Sequence, residues 1–276
     1  MKIDQILNLY QAGYRDFSGI DLSGANLAGI TLIGVDLSGA NLMGANLSKA
    51  FLTKSNFEAA KFNWADLRCA KMSEVSLNDA DLTKANLLGA FMIKSQLINT
   101  RLCGANLSYT NLRLANLESA NLCGAKLQKV NLRQANLAKA NFDWANLNEG
   151  RLTGAYLHLS SLNEVNLSRT FLKDVDLQGA NLEGIDLSNA RLMGANLSNA
   201  NLRRANLESA LLSRANLRAA NLSKANLSGA RLTQANLSDA NLTEAVLDDA
   251  NFTEAILDNV VHGTEAYSNS EQLTVY

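Results

Sequence analysis

The chain has 276 residues, a formal net charge of −1 and no proline, and 47% of its residues are hydrophobic. A chain so close to neutrality has no overall electrostatic attraction to nucleic acid or to an anionic membrane. Polar residues recur throughout, so no segment reaches the roughly 20 apolar residues of a membrane span. The first residues lack the charged and apolar regions of a signal peptide, and we therefore expect a cytoplasmic protein.

A short amphipathic helix is predicted at the beginning of the chain. Its apolar residues follow the i, i+3, i+4 and i+7 spacing of one helical stripe: Ile3, Ile6, Leu7 and Tyr10. Gly13 is placed to end this helix. We expect residues 1–14 to form a capping helix over the open end of the structure that follows. An amphipathic membrane anchor is the alternative, although the segment is short for that role.

A repeat of five residues occupies most of the remaining chain. From Phe17 to Leu257, every position ending in 2 or 7 is Leu, Phe or Met, which gives 49 units, 42 of them centred on Leu. The residue two before each centre is usually Ala, and the other three positions are mostly polar. A period of five would scatter the leucines around an α-helix and alternate them across a flat strand. It does suit a backbone that extends briefly and then turns by about a quarter circle, with Ala and Leu facing inward.

Four such units close a square coil of twenty residues, and neighbouring coils pair their backbones about 4.8 Å apart. We therefore predict an all-β solenoid over residues 15–259, a parallel β-helix of about twelve coils and roughly 58 Å in length. Residues 260–276 lose the period. We expect them to form a C-terminal cap or tail, and a contact in a dimer is the alternative role for this segment.

The unit seen in Ala25-Asn26-Leu27-Ala28-Gly29 resembles the A-(D/N)-L-x-x unit of the pentapeptide repeat family, and the resemblance covers about 240 residues. It implies a right-handed quadrilateral β-helix. Some members of this family mimic DNA, bind DNA gyrase and confer quinolone tolerance, whereas many others have no assigned activity. The resemblance therefore implies a fold and leaves several functions open.

Because no insertion interrupts the period, residues twenty apart should share one side of the coil. The units centred on every twentieth residue from Leu32 to Phe252, here called the basic side, carry ten outward basic and three acidic residues, a net charge of +7. The units centred on every twentieth residue from Phe17 to Leu257, the acidic side, carry eight acidic and two basic residues, a net charge of −6. The other two sides are near neutral.

Apolar side chains are interleaved with the basic ones on the basic side, and this combination predicts a binding surface. Two zones depart most from the consensus, residues 91–98 and residues 150–171, and are here called the departure zones. Both should lie at the edge where the basic side meets the acidic side, and we expect few large apolar side chains on the other sides. The candidate partner-binding residues are Phe51, Phe91, Ile93, Arg113, Arg151, Tyr156, Leu159, Phe171, Lys173, Arg191 and Leu211.

We predict first that the chain is a non-enzymatic interaction module. Its partner would be another protein or a second copy of this chain. Modulation of DNA gyrase is the alternative, because the acidic side would present regularly spaced negative charge as DNA does. Binding of nucleic acid or anionic lipid to the basic side is a third hypothesis, which the adjacent acidic side disfavours.

The sequence contains no catalytic, metal-binding or cofactor motif, so we expect no enzyme activity, no metal and no cofactor. Cys103 and Cys123 should stack on neighbouring coils, close enough for a disulfide, but reduced thiols are the expected state for both and for Cys69. Four hydroxyl residues at inward positions should donate hydrogen bonds to carbonyls inside the coil: Thr100, Thr110, Ser160 and Thr170.

Overall fold

A computed structural model of the chain describes residues 3–262. The predicted helix is present as α1, which spans Ile3–Gln11. The chain leaves the helix after Gln11 through a turn at Gly13, whose φ of 93° lies in the left-handed region. The N–H groups of Gly13 and Tyr14 donate to the carbonyls of Tyr10 and Leu9 at 3.0 and 2.9 Å, so the last carbonyls of the helix are satisfied.

The apolar stripe of α1 packs against the repeats. Ile6 is buried in the hydrophobic core, and Ile3, Leu7 and Tyr10 pack against that core from the same face. The hydroxyl of Tyr10 also accepts a hydrogen bond of 3.2 Å from the N–H of Ile33. The helix is thereby joined to the repeats by apolar packing and by a polar contact.

The repeats form a coil with twenty residues per circuit, as predicted. Parallel bridges join residues twenty apart from Asp16↔Asp36 to Asn241↔Val261. The N–H of most central residues donates to the carbonyl nineteen residues later, as Leu122 does to Asn141 at 2.7 Å. Pairing within residues 3–262 consists of these single-residue bridges, because the chain turns again before a longer strand can form.

The quarter turns have one conformation along the whole coil. The second residue after each centre has a positive φ, near 66° at Gly24 and 59° at Lys84. The N–H of the following residue donates to the central carbonyl, as from Ala25 to Leu22 at 3.1 Å. Most of these positions are not glycine, although the left-handed conformation costs other residues about 1–2 kcal/mol. Closure of the coil outweighs that local cost.

The axis of the coil is filled by Leu and Ala, almost all of them buried. Each buried Leu contributes about 1.5–3 kcal/mol to stability. The inward hydroxyl groups are hydrogen-bonded as predicted, for example Thr110 to the carbonyl of Leu87 at 2.8 Å and Thr100 to that of Leu77 at 2.9 Å. Thr170 and Ser160 donate to the carbonyls of Leu167 and Leu157.

Candidate interaction surface

The position immediately before each central residue, here called the ladder position, is usually Asn or Asp. Its side-chain oxygen accepts the N–H two residues later, and an Asn amide also donates to the ladder position of the preceding coil. Asn216 shows both bonds: its Oδ1 accepts the N–H of Arg218 at 3.2 Å, and its Nδ2 donates to Oδ1 of Asn196 at 3.2 Å. These bonds satisfy the turn and join neighbouring coils.

Aspartates at the ladder position act in the same way. The backbone N–H of Ser18 donates to Asp16, and that of Ser23 donates to Asp21, both at 3.0 Å. These hydrogen bonds favour the ionised carboxylate and lower the pKa of Asp16 and Asp21 below the usual value.

The basic side departs from this rule. Its ladder positions form two stacks in which basic and apolar residues alternate from coil to coil, namely Phe51, Lys71 and Phe91, and then Arg151, Phe171, Arg191, Leu211 and Arg231. Where Asn111 remains at a ladder position, its Oδ1 accepts the N–H of Arg113 at 3.3 Å. The corresponding N–H groups of Thr53, Ile93 and Lys173 have no hydrogen-bond partner among residues 3–262. The two stacks therefore lack the local hydrogen bonds that Asn and Asp make at other ladder positions.

Cations and aromatic rings contact one another within these stacks. Nζ of Lys71 lies 3.4 Å from the ring centroid of Phe91. The guanidinium carbons of Arg191 and Arg151 lie 4.5 and 5.9 Å from the ring centroid of Phe171, one on each neighbouring coil. Cation–π attraction of this kind holds the charges along the stack.

Few cations of the basic side have a counter-charge. Within the described part of the chain, Lys173 is the one basic residue of this side with a carboxylate within 4.0 Å, that of Asp174 at 3.6 Å. By contrast, the near-neutral sides hold close pairs such as Arg68 with Asp66 at 2.7 Å. Hydrogen bonding from Arg68 lowers the pKa of Asp66. The positive charge of the basic side is therefore left largely uncompensated by the chain itself.

The exposure of the candidate residues varies. Phe51 and Phe91 keep 45% and 40% of their surface accessible. The charged candidates Arg113, Arg151, Lys173 and Arg191 are also exposed. Ile93, Phe171 and Leu211 are half-buried, in the case of Phe171 between the two arginines.

The expectation that the departure zones share one edge is wrong. Phe171 lines a shallow cavity of about 470 Å³ with Arg169 and Glu149, at the edge that the basic side shares with a near-neutral side. Tyr156 and Leu159 instead line a separate cavity on the acidic side. A ladder position lies just after one corner and a position such as Leu159 lies at the next corner, so the turns place these residues on different edges.

The expectation that the other sides carry few large apolar side chains is wrong. Three large aromatic residues that were not identified from the sequence are exposed on those sides. Trp64, Trp144 and Tyr109 are 59%, 61% and 59% exposed on the near-neutral sides. All three occupy the turn position with positive φ, which directs a side chain outward at a corner. A large aromatic residue two positions after a central residue is the sequence signal that identifies them.

The cavity beside Tyr156 is a notch between two coils, lined by residues 156–162 and 176–181, with a volume of about 660 Å³. Backbone hydrogen bonds join Leu122 and its neighbours to the next coil, but none joins Leu157, Leu159 or Leu162 to the coil above. The bridge between residues 156 and 176 persists, whereas that expected between residues 161 and 181 is lost. The pairing of the two coils is thus weakened at residues 156 and 176, where the bridge remains without backbone hydrogen bonds from Leu157 or Leu159, and is absent at residues 161 and 181.

Stacked side-chain volume explains this opening. Val165 and Ile185 occupy inward positions that lie one above the other, and both are buried. The same column contains Ala in the other coils from Ala25 to Ala245. Two bulky residues at adjoining sites shaped for Ala overfill the axis, and separation of the two coils relieves the overpacking.

No set of three His, Cys, Asp or Glu residues within residues 3–262 is arranged to hold a metal ion. The three cysteines are free thiols, and burial raises the pKa of Cys103, which makes its thiol less reactive. The ring of His158 stacks on Tyr156 with centroids 5.8 Å apart. No helix in residues 3–262 has the length and hydrophobicity needed to cross a membrane.

A comparison with models of protein families identifies the family of this chain. The profile for pentapeptide repeats matches in successive segments from residues 16–58 to residues 225–261. The chain belongs to the pentapeptide repeat family, and its fold is the β-helical solenoid of that family.

Solved structures of family members cover most of the chain. HetL, a pentapeptide repeat protein involved in heterocyst differentiation regulation in Nostoc sp. strain PCC 7120, is 37% identical over 95% of this chain and 100% of its own, with a TM-score of 0.35. A protein of the Arabidopsis thaliana thylakoid lumen is 33% identical over 33% of this chain and 63% of its own, with a TM-score of 0.32.

QnrB1, a plasmid-mediated fluoroquinolone resistance protein, is 17% identical over 91% of this chain and 100% of its own, with a TM-score of 0.29. A search of curated proteins finds no match.

Proposed function

We propose that the chain is a non-enzymatic interaction module, a rigid rod of about twelve coils whose basic side binds an acidic and partly apolar surface of a protein partner or of a second copy. The observation that carries this proposal is the loss of the Asn ladder on that side. Phe and Arg replace residues that would hydrogen-bond their own turns, although the fold gains no equivalent contact at Phe51. Positions that break a local rule without a structural gain are characteristic of functional surfaces.

The chemistry of the partner follows from the second stack. Arg151, Arg191 and Arg231 recur on every second coil, so their backbones lie about 9.6 Å apart. Phe171 and Leu211 fill the coils between them. A partner that places carboxylates against the arginines and apolar side chains against the other two would match both charge and hydrophobicity.

Replacement of the apolar members of the stacks tests this proposal. The variant with Phe51, Phe91, Phe171 and Leu211 changed to Ser should lose partner capture from the native extract or shift to a smaller oligomer in sedimentation. A control with Trp64, Tyr109 and Trp144 changed to Ser removes large exposed side chains from other sides. Unchanged capture and unchanged oligomeric state in the first variant would refute the proposed surface.

A second candidate function, modulation of DNA gyrase by mimicry of DNA, is motivated by the acidic side with its net charge of −6. Two of its carboxylates, those of Glu118 and Asp239, are paired with Lys139 and Arg218, each at 3.4 Å, which weakens the negative surface. A supercoiling assay with purified gyrase tests this function. No inhibition and no protection from quinolones at micromolar protein would exclude it.

The ends and location of the rod belong to the same proposal. We assign residues 1–14, which contain α1, to an N-terminal cap and residues 15–259 to the repeat body; residues 1 and 2 of this cap lie outside the described residues. Of the predicted C-terminal segment 260–276, residues 263–276 lie outside the described residues. A cytoplasmic location agrees with free cysteine thiols. Fractionation of the cell, with the protein detected by antibody, tests the location.

A further inference from the structure

We propose that the notch lined by residues 156–162 and 176–181 binds an extended protein segment that carries an apolar side chain. The notch opens on the acidic side and its following corner, so this site is separate from the surface of the proposed function. Three features support the inference: backbone groups without partners, an apolar floor and a lining without Lys or Arg.

The backbone groups are those that an intact ladder would join. Two coils earlier, Leu122 donates to Asn141 at 2.7 Å, and Asn141 donates to Ala120 at 2.9 Å. The corresponding N–H groups of Leu162 and Asn181 have no hydrogen-bond partner among the described residues. The carbonyls of Ser160 and Asn181 likewise accept no backbone hydrogen bond from residues 3–262, and both residues line the notch. An extended segment would supply complementary C=O and N–H groups from its own backbone.

The floor of the notch is apolar. Leu157 and Leu162 are 5% and 6% exposed, whereas their counterparts Leu117 and Leu122 are fully covered. Leu159 stands at the rim with 71% of its surface accessible and with a φ of 56°. An apolar side chain entering the notch would contact all three leucines and remove their surface from water.

Size and charge restrict the ligand further. A volume of about 660 Å³ lies in the range of sites that enclose a ligand. The lining contains one carboxylate, that of Asp176, and no Lys or Arg. Phosphate groups and nucleic acid would therefore meet no Lys or Arg and would lie beside the Asp176 carboxylate, so an uncharged peptide segment suits the lining better.

A titration followed by NMR tests the binding. Isotopically labelled protein would be titrated with an end-capped peptide of five alternating serine and leucine residues. The amide signals of residues 156–162 and 176–181 should shift saturably, with a Kd of about 1 mM or lower. A peptide with asparagine in place of leucine should bind at least about tenfold more weakly, because it lacks the apolar anchor. No saturable shift, equal binding of both peptides, or shifts confined to other residues would overturn the proposal.

A variant that closes the notch provides the second test. Ile185→Ala removes the overpacking against Val165 and should let the two coils approach. Amide hydrogen exchange at Leu162 reports whether the ladder has closed, and Leu202, whose N–H donates to Asn221 at 2.8 Å, serves as the internal reference. Val75→Ala is the matched control, because it shortens an inward β-branched residue where the ladder is intact.

Amide exchange at Leu162 reports whether the notch is closed, and the peptide titration reports whether it binds, so the two measurements are evaluated together. We expect Leu162 to exchange at least about 100-fold faster than Leu202 in the unaltered protein, because its N–H is unpaired. Ile185→Ala should slow that exchange and weaken leucine-peptide binding at least tenfold, whereas Val75→Ala should change neither. Full binding to a closed notch, or lost binding to a notch that remains open, would overturn the proposal.

Discussion

The basic side and the other three sides of the rod, here called the Asn-rich sides, share one backbone and differ most clearly at the ladder position. On the Asn-rich sides, residues such as Asn216 hydrogen-bond their own turn and the preceding coil. On the basic side, Phe51 and Phe171 occupy the same position, and the N–H groups of Thr53 and Lys173 have no partner in the described structure. From this contrast we expect that the Asn ladder contributes to stability and that the residues replacing it on the basic side serve the proposed binding.

Charge reversal should produce the largest difference between the two regions. Changing Arg151, Arg191 and Arg231 to Glu should reduce partner capture by about 100-fold or more, because attraction to an acidic partner becomes repulsion. The matched control reverses three basic residues on a near-neutral side, Lys61, Lys84 and Arg204, and should retain capture. Quantitative pull-down at two salt concentrations measures both variants, and an equal loss in both would remove the distinction between the sides.

Introduction of an aromatic residue into the Asn ladder should have the next largest effect. Asn216→Phe removes the hydrogen bonds to Arg218 and Asn196, and we expect it to lower the free energy of unfolding by about 1–2 kcal/mol. Urea unfolding followed by circular dichroism measures the change. Asn216→Asp is the control, since it keeps the acceptor for Arg218. Unaltered stability of Asn216→Phe would show that the ladder bonds contribute little.

A smaller effect is expected from low pH, which should change the hydrogen bond of a turn amide to Asp at a ladder position but not that to Asn. The hydrogen bond from Ser23 lowers the pKa of Asp21 in the folded protein. Its stabilisation is therefore present above the pKa of the unfolded state and is lost as pH falls through the lower pKa of the folded state. In an NMR titration, the amide of Ser23 should shift with a midpoint below 3.8, the ordinary value for this group.

The next coil supplies the reference for this titration. The amide of Met43, which donates to Asn41 at 3.3 Å, should stay constant over the same pH range because Asn does not ionise. Asp21→Asn should abolish the movement at Ser23. A shift of Ser23 that persists in this variant would have to arise from another group.

The sequence predicts those parts of the structure that depend on the period. The circuit of twenty residues, the inward Leu and Ala, and the carbonyl partners of Thr100 and Thr110 all follow from uninterrupted spacing. The cation–π contacts of Phe171 require only that residues twenty apart be stacked, and the same spacing brings Arg151 and Arg191 to it. The uninterrupted repeat thus determines which residues are stacked on one another along the whole rod.

Other parts depend on volume and on the exact place of each corner. The notch arises because Val165 lies over Ile185, an effect of packing between coils that a binary pattern of inward and outward residues does not contain. The separation of Leu159 from Phe171 depends on where the turns with positive φ fall. The exposure of Trp64 and Trp144 has the same origin, because both residues occupy such turns.

Introducing Asn at the ladder positions of Phe51 and Phe91 separates a role of these side chains in recognition from a role in folding, because one pair of substitutions is measured for both stability and binding. Asn at these sites gives the N–H groups of Thr53 and Ile93 an acceptor, so Phe51→Asn with Phe91→Asn should raise the free energy of unfolding by about 1 kcal/mol. The same variant should lose partner capture or self-association. A less stable variant with unchanged capture would contradict the account, since it would show that these side chains support the fold and do not serve recognition.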